Sequence, residues 1–112
     1  MKRTYLGEFE ELIMLVVATL KEQGAYAIAI KTELDQQSGR KANISAVHST
    51  LYRLEAKGFL KSQTGGATKE RGGRSKRFFY LTAAGKEALY QVQDLRQQLW
   101  GKAPELKLKP IK

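Results

Sequence analysis

The sequence predicts a mainly α fold with one small β-hairpin, of the α+β class, and three observations predict it. Apolar residues recur at helical spacing in four separate stretches. An aromatic, strand-like run, Phe78-Phe79-Tyr80-Leu81, lies across a glycine-rich segment from Phe59-Leu60, as the second arm of a hairpin would. A chain of 112 residues with 42% hydrophobic content makes one small domain with a single core.

The first helix is expected over residues 7–22. Phe9, Leu12, Ile13, Val16, Val17 and Leu20 share a helical stripe, and Met14, Leu15 and Ala18 fill much of the other side. A helix apolar nearly all round must be covered on two faces, and in so short a chain a second subunit is the simplest cover. Gln23-Gly24 ends it. The second helix, residues 27–37, has Ile30 and Leu34 as its core stripe, and Gly39 suits the left-handed residue that closes a helix. The segment 40–44 is a basic turn.

Ser45 is the expected N-cap of the third helix. Ile44, Val47, Leu51 and Leu54 step by three, four and three onto one buried face. Ser45, His48, Ser49, Tyr52 and Arg53 fall on the other side, and Gly58 closes the helix. Phe59-Leu60 opens a strand, Arg71-Gly72-Gly73-Arg74 forms a loop tip, and Lys76 to Leu81 returns as the second strand. Paired glycines let the backbone approach a duplex closely, and the flanking arginines offer charge-assisted contacts to phosphate or the minor groove. Thr82 caps a last helix running to about Trp100, striped by Leu89, Val92, Leu95 and Leu99 with Ala88 and Trp100 beside them.

A helix followed by a basic hairpin is the plan of a winged helix-turn-helix, in which the helix enters a major groove and the hairpin reaches the flanking backbone. The charge agrees. The chain is formally +9, and the window from Arg40 to Tyr80 holds ten basic residues against two acidic ones, a net of +8. Such a block attracts polyanions. By itself it leaves DNA, RNA, an anionic membrane or a merely solvated face open.

Inventory excludes most other classes. There is no cysteine and a single histidine, so no disulfide, thiolate metal site, multi-histidine metal site or histidine-based catalytic set is available. No phosphate-binding Gly-x-x-x-x-Gly-Lys-Ser/Thr loop is present. The acids on the first two helices read as solvated. No cofactor and no enzymatic activity are expected. Acids precede the first apolar run, which is too short for a membrane span, so a cytoplasmic protein is expected.

Several stretches in this order resemble the PadR-like transcriptional regulators: Leu6-Gly7-Glu8-Phe9-Glu10 and the apolar run after it, Ala25-Tyr26-Ala27-Ile28-Ala29-Ile30, Val47 to Gly58, Arg71-Gly72-Gly73-Arg74, and Tyr80-Leu81-Thr82-Ala83-Ala84-Gly85. The resemblance covers about Leu6 to Trp100. Two departures are visible: His48 stands where the family usually has Tyr, and Ala27 where it usually has Gly. The resemblance implies a winged helix-turn-helix over residues 1–81 and a C-terminal dimerisation helix over 82–100, as in the family's compact branch; the tail over 101–112, which alternates Lys with Pro and apolar residues, is expected from its composition to be flexible. The resemblance further implies a homodimeric repressor of a pseudo-palindromic DNA site that responds to a small aromatic effector.

On this reading the DNA-binding candidates are Ser45, His48, Ser49, Tyr52, Arg53, Arg71, Gly72, Gly73, Arg74 and Lys76. For Ser45, Ser49 and Tyr52 the alternative is a plain solvated position, and for Arg53 an intramolecular ion pair. The dimer candidates are Phe9, Ile13, Val17, Leu89, Val92, Leu95, Leu99 and Trp100, with Trp100 also a candidate effector contact or else ordinary interface packing. The rival functions are a winged helix used as a protein-interaction module, which an apolar outer face on the third helix would signal, and RNA binding through the basic hairpin.

Overall fold

The computed structural model describes residues 6–21, 23–65 and 76–106. The element order is α1 (Glu8–Thr19), α2 (Ala27–Ser38), α3 (Ile44–Ala56), β1 (Leu60–Thr64), β2 (Arg77–Leu81) and α4 (Ala83–Gly101), followed by one 3-10 turn at Pro104–Leu106. None of the described helices is long and apolar enough to cross a membrane.

α1 buries Ile13, Met14, Val16 and Val17 against the core, with acidic Glu8, Glu10 and Glu11 in its first turn, where the helix dipole favours negative charge. Its second apolar face remains open: Leu12 and Leu15 are 37% and 43% exposed. The helix ends at Thr19, short of the expected position 22, and the chain reverses at Gly24, whose φ is 97°. α2 contributes Ile30 and Leu34 and closes at Gly39 with φ 75°, the left-handed cap expected of it. The Asp35 carboxylate then accepts from the Ala42 amide at 2.7 Å, pinning the turn into α3. The hydrogen bond from Lys31 and that amide hold the Asp35 carboxyl below its ordinary range.

α3 starts one residue before Ser45, and its cap is not Ser45 but Asn43. Asn43 is extended, and its Oδ1 accepts from the Ser45 and Ala46 amides at 2.8 and 3.2 Å. Val47, Leu51 and Leu54 are fully buried, as their spacing requires. Gly58 takes φ 85°, and the Phe59 amide bonds back to the Leu54 carbonyl at 3.0 Å, so the strand opens at Leu60 rather than Phe59.

β1 and β2 pair antiparallel, with Leu60 opposite Leu81, Ser62 opposite Phe79 and Thr64 opposite Arg77. Leu60 and Phe79 point into the core; the Phe79 amide also donates to the Ala25 carbonyl at 2.9 Å, tying the hairpin to the turn before α2. The Phe78 ring sits between two glycines. A Cβ at Gly24 would lie 2.9 Å from its Cε1, and one at Gly65 would lie 2.4 Å from its Cε2.

Thr82 caps α4 as expected, accepting from the Gly85 amide at 3.0 Å and donating its hydroxyl to the Gly58 carbonyl at 2.7 Å. The Thr82 amide donates to the Phe59 carbonyl at 3.1 Å. The root of α4 is thereby fastened to the α3–β1 corner. Ala88 is buried and Leu89 packs on the core, while Arg96 reaches Glu11 of α1 at 2.8 Å. Beyond that point Leu99 and Trp100 are 58% and 55% exposed. Three helices, a hairpin beside the third, and a long helix leading away make a winged helix-turn-helix with a C-terminal helix.

Candidate nucleic-acid interface

The amphipathic division of α3 decides what the surface presents. Its apolar residues are consumed by the core, so Ser45, His48, Ser49, Tyr52 and Arg53 all face solvent. The Asn43 cap leaves the hydroxyl of Ser45 outside the capping network, and the Ser49 hydroxyl donates back to the Ala46 carbonyl at 3.3 Å. This face carries hydrogen-bonding and charged groups of the kind that meet base edges and phosphates.

His48 and Tyr52, one turn apart, stack with ring centroids 6.2 Å apart and planes inclined by 28°. The Arg77 guanidinium lies 5.8 Å from the Tyr52 ring. Arg77 is itself held, donating from Nε to the Ser62 hydroxyl at 3.0 Å and from Nη2 towards Glu55 Oε1 at 3.4 Å. The Ser62 hydroxyl donates to Glu55 Oε2 at 2.6 Å. A continuous path of contacts therefore runs from the exposed face of α3 to Arg77, on the hairpin rung farthest from its root. Arg77 was legible in the sequence only as one more positive charge.

Lys76, a sequence candidate for DNA contact, places its ammonium 4.2 Å from the centroid of the Tyr26 ring, and Tyr26 packs edge-on against Phe78 at 5.7 Å. Arg71, Gly72, Gly73 and Arg74 lie outside the described residues.

Arg53 makes the intramolecular ion pair that was one of its two readings. Arg53 Nε donates to Glu10 Oε2 at 3.1 Å and Nη2 to the Thr50 hydroxyl at 3.3 Å, although half of the side chain remains exposed. Lys57 Nζ donates to the same carboxylate oxygen at 2.9 Å, and Glu10 Oε1 accepts from the Gly7 amide at 2.9 Å. Glu10 was expected to be solvated; it is 7% exposed. Burial raises its pKa, but the hydrogen bonds from Lys57, the Gly7 amide and Arg53 outweigh that and hold the carboxyl below its ordinary value.

The dimer candidates divide. Ile13 and Val17 are 0% and 2% exposed, so their surface is already used within the chain's own core and none is left for a partner. The helical stripe was correct but faced inward. Phe9, Leu89, Val92 and Leu95 are half-buried. The apolar surface still open on these two helices is Leu12 and Leu15 on α1 and Leu99, Trp100 and the 66%-exposed Tyr90 on α4. Among the described residues no group of acidic or histidine side chains could hold a metal ion.

Residues 16–91 match the family model described as the transcriptional regulator PadR-like family. Among solved structures, the chain resembles a PadR-like transcription factor from Bacteroides fragilis, at 20% identity and TM-score 0.71 with 88% of each chain covered. It resembles a PadR family transcriptional regulator from Eggerthella lenta at 23% identity and TM-score 0.67, covering 92% of this chain and 88% of that one. RosR of H. salinarum is similar at 25% identity and TM-score 0.59, over 94% of this chain and 81% of that one. No curated protein sequence matches. The exposed polar face of α3, the hairpin beside it and the family match over most of the chain agree: this protein belongs to the PadR-like family of transcriptional regulators, DNA-binding proteins rather than enzymes.

Proposed function

We propose that the chain is a sequence-specific double-stranded-DNA-binding regulator acting as a homodimeric repressor, with α3 as its recognition helix. The observation that carries the reading is the outer face of α3. Ser45, His48, Ser49 and Tyr52 stand exposed together with no aliphatic side chain among them, which suits a major groove and not an apolar protein partner. The wing contributes phosphate or minor-groove contacts through Arg71 and Arg74, a role supported by the sequence alone. The open apolar residues of α1 and α4 support a two-fold dimer, which sets two copies of α3 on one face of a pseudo-palindromic site. The family likeness supports a repressor relieved by a small aromatic effector, with exposed Trp100 as its contact.

Selection from random duplex DNA with the purified chain, followed by binding at two salt concentrations, tests this. The expected result is an enriched two-fold symmetric motif with half-sites about one helical turn apart. Steeply salt-dependent binding with no enriched motif overturns sequence specificity. Preference for structured RNA over duplex DNA overturns the major-groove reading, because the deep, narrow A-form groove does not admit a helix.

A further inference from the structure

Along the outside of α3, Ser45, Ser49 and Arg53 step by four, and Lys57 follows one turn later at the C-cap. The N-terminal half of this line is uncharged and open. The C-terminal half carries two cations, and both reach inward to one oxygen of the buried Glu10 carboxylate, at 3.1 and 2.9 Å. Glu10 belongs to a different helix and is separated from these partners by 43 and 47 positions. A buried carboxylate beneath two cations of the recognition helix reduces their attraction to DNA, so its presence there calls for a reason beyond affinity. Its other oxygen accepts from the Gly7 amide, so it is held from both ends of its contact set.

We propose that Glu10 withholds the Arg53 and Lys57 cations of the recognition helix from the phosphate backbone, making it a positioning residue that sharpens discrimination between an operator and random duplex. The inference rests on α3 being the recognition helix. Two free cations at the C-terminal end of α3 engage any phosphate in any register, which strengthens binding to all sequences alike. Fastened to Glu10, they leave the Ser45–Tyr52 end as the part whose contacts depend on sequence. A half-exposed Arg53 also keeps guanidinium donors toward solvent, so release from Glu10 redirects a side chain that is already at the surface.

The test compares wild type, Glu10→Gln and the triple variant E10Q/R53Q/K57Q, each confirmed folded by circular dichroism. Binding is measured on the selected operator and on random duplex from 50 to 200 mM salt. Each extra phosphate neutralised steepens the slope of log affinity against log salt by about 0.9, or about 3.5-fold in affinity over that fourfold salt range. Glu10→Gln is expected to bind random duplex more tightly at low salt, with a slope steeper by about 0.9 to 1.8, and to show a smaller operator-to-random ratio. The triple variant is expected to lose that gain. Arg53→Gln, which leaves Lys57 to hold Glu10, is expected to change the slope by less than one phosphate's worth.

An unchanged slope in Glu10→Gln, or equal weakening on operator and random duplex, overturns the proposal and leaves Glu10 a stability contact. A full phosphate's loss of slope in Arg53→Gln overturns it as well. If the wild-type chain binds no DNA, the functional reading fails and this inference fails with it.

Discussion

Gly85 is the residue on which the seat of α4 depends, and replacing it with alanine tests that dependence. It is buried in the first turn of the helix, and a Cβ there would stand 2.2 Å from the Phe59 carbonyl oxygen and 3.1 Å from its carbon. Both atoms are backbone, so no side-chain rotation relieves the overlap. Restoring ordinary contact requires α4 to retreat by roughly 1 Å, and insertions of this kind into packed sites cost about 1–3 kcal/mol. The retreat also stretches the bonds that fasten Thr82 to Gly58, Phe59 and Gly85; loss of the cap alone is worth about 1 kcal/mol. Opposing this, alanine is the better helix former by up to about 1 kcal/mol. The expected balance for Gly85→Ala is a loss of roughly 1–3 kcal/mol, or about 5–15 °C in Tm for a domain of this size. Gly101, at the far end of the same helix, has nothing within 4 Å of the same added atom. Gly101→Ala is therefore expected to leave stability unchanged or slightly raised. Urea and thermal denaturation of both variants decide the matter: equal or greater stability of Gly85→Ala than wild type refutes the close-approach argument.

Three further outcomes are expected. Asn43→Ala removes the α3 cap and is expected to cost about 1 kcal/mol in urea denaturation, whereas Ser45→Ala, one residue inside the helix, costs less; the reverse order restores Ser45 as the cap. The Glu10 carboxyl titrates lower folded than unfolded, so its stabilising contribution is complete above the unfolded pKa and disappears as pH falls through the folded one. The stability difference between wild type and Glu10→Gln is thus expected to shrink below about pH 4.5, and a difference constant down to acid pH contradicts the assignment. Arg77→Met removes the bonds of a half-exposed side chain and is expected to cost under about 1 kcal/mol in stability. In the same variant the operator preference at the base pair nearest Tyr52 is expected to weaken, measured by repeating the selection; an identical enriched motif argues against the His48–Tyr52–Arg77 stack as a support.

Local patterns carried most of the fold into the sequence. Gly39, Gly58 and Thr82 mark element ends by backbone chemistry that acts over one turn, and Val47, Leu51 and Leu54 declare a buried face by spacing alone. The misplaced side chains share one cause. Ile13 and Val17 were assigned to a partner, and Glu10 to solvent, because helical periodicity shows that a face is apolar or polar without showing what it meets. Glu10 meets residues more than forty positions away, and nothing near it in the chain signals that. Ser45 and Asn43 are both good caps, and only the extended backbone of Asn43 decides between them. The outer face of α3 was legible as a set of residues, but the support of Tyr52 by Arg77 depends on strand register.

The clasp on Phe78 has a consequence for exchanging parts between relatives. One jaw, Gly65, travels with the hairpin, but the other, Gly24, lies in the turn after α1, and the Ala25 carbonyl beside it takes the Phe79 amide. The heading of the hairpin is accordingly written in two places in the chain. A relative that receives only residues 60–81 of this chain keeps its own residue at position 24, and a side chain there would displace the ring and swing the graft off its axis. Transplanting a wing that still points where it did in its donor requires moving residues 24–26 along with it.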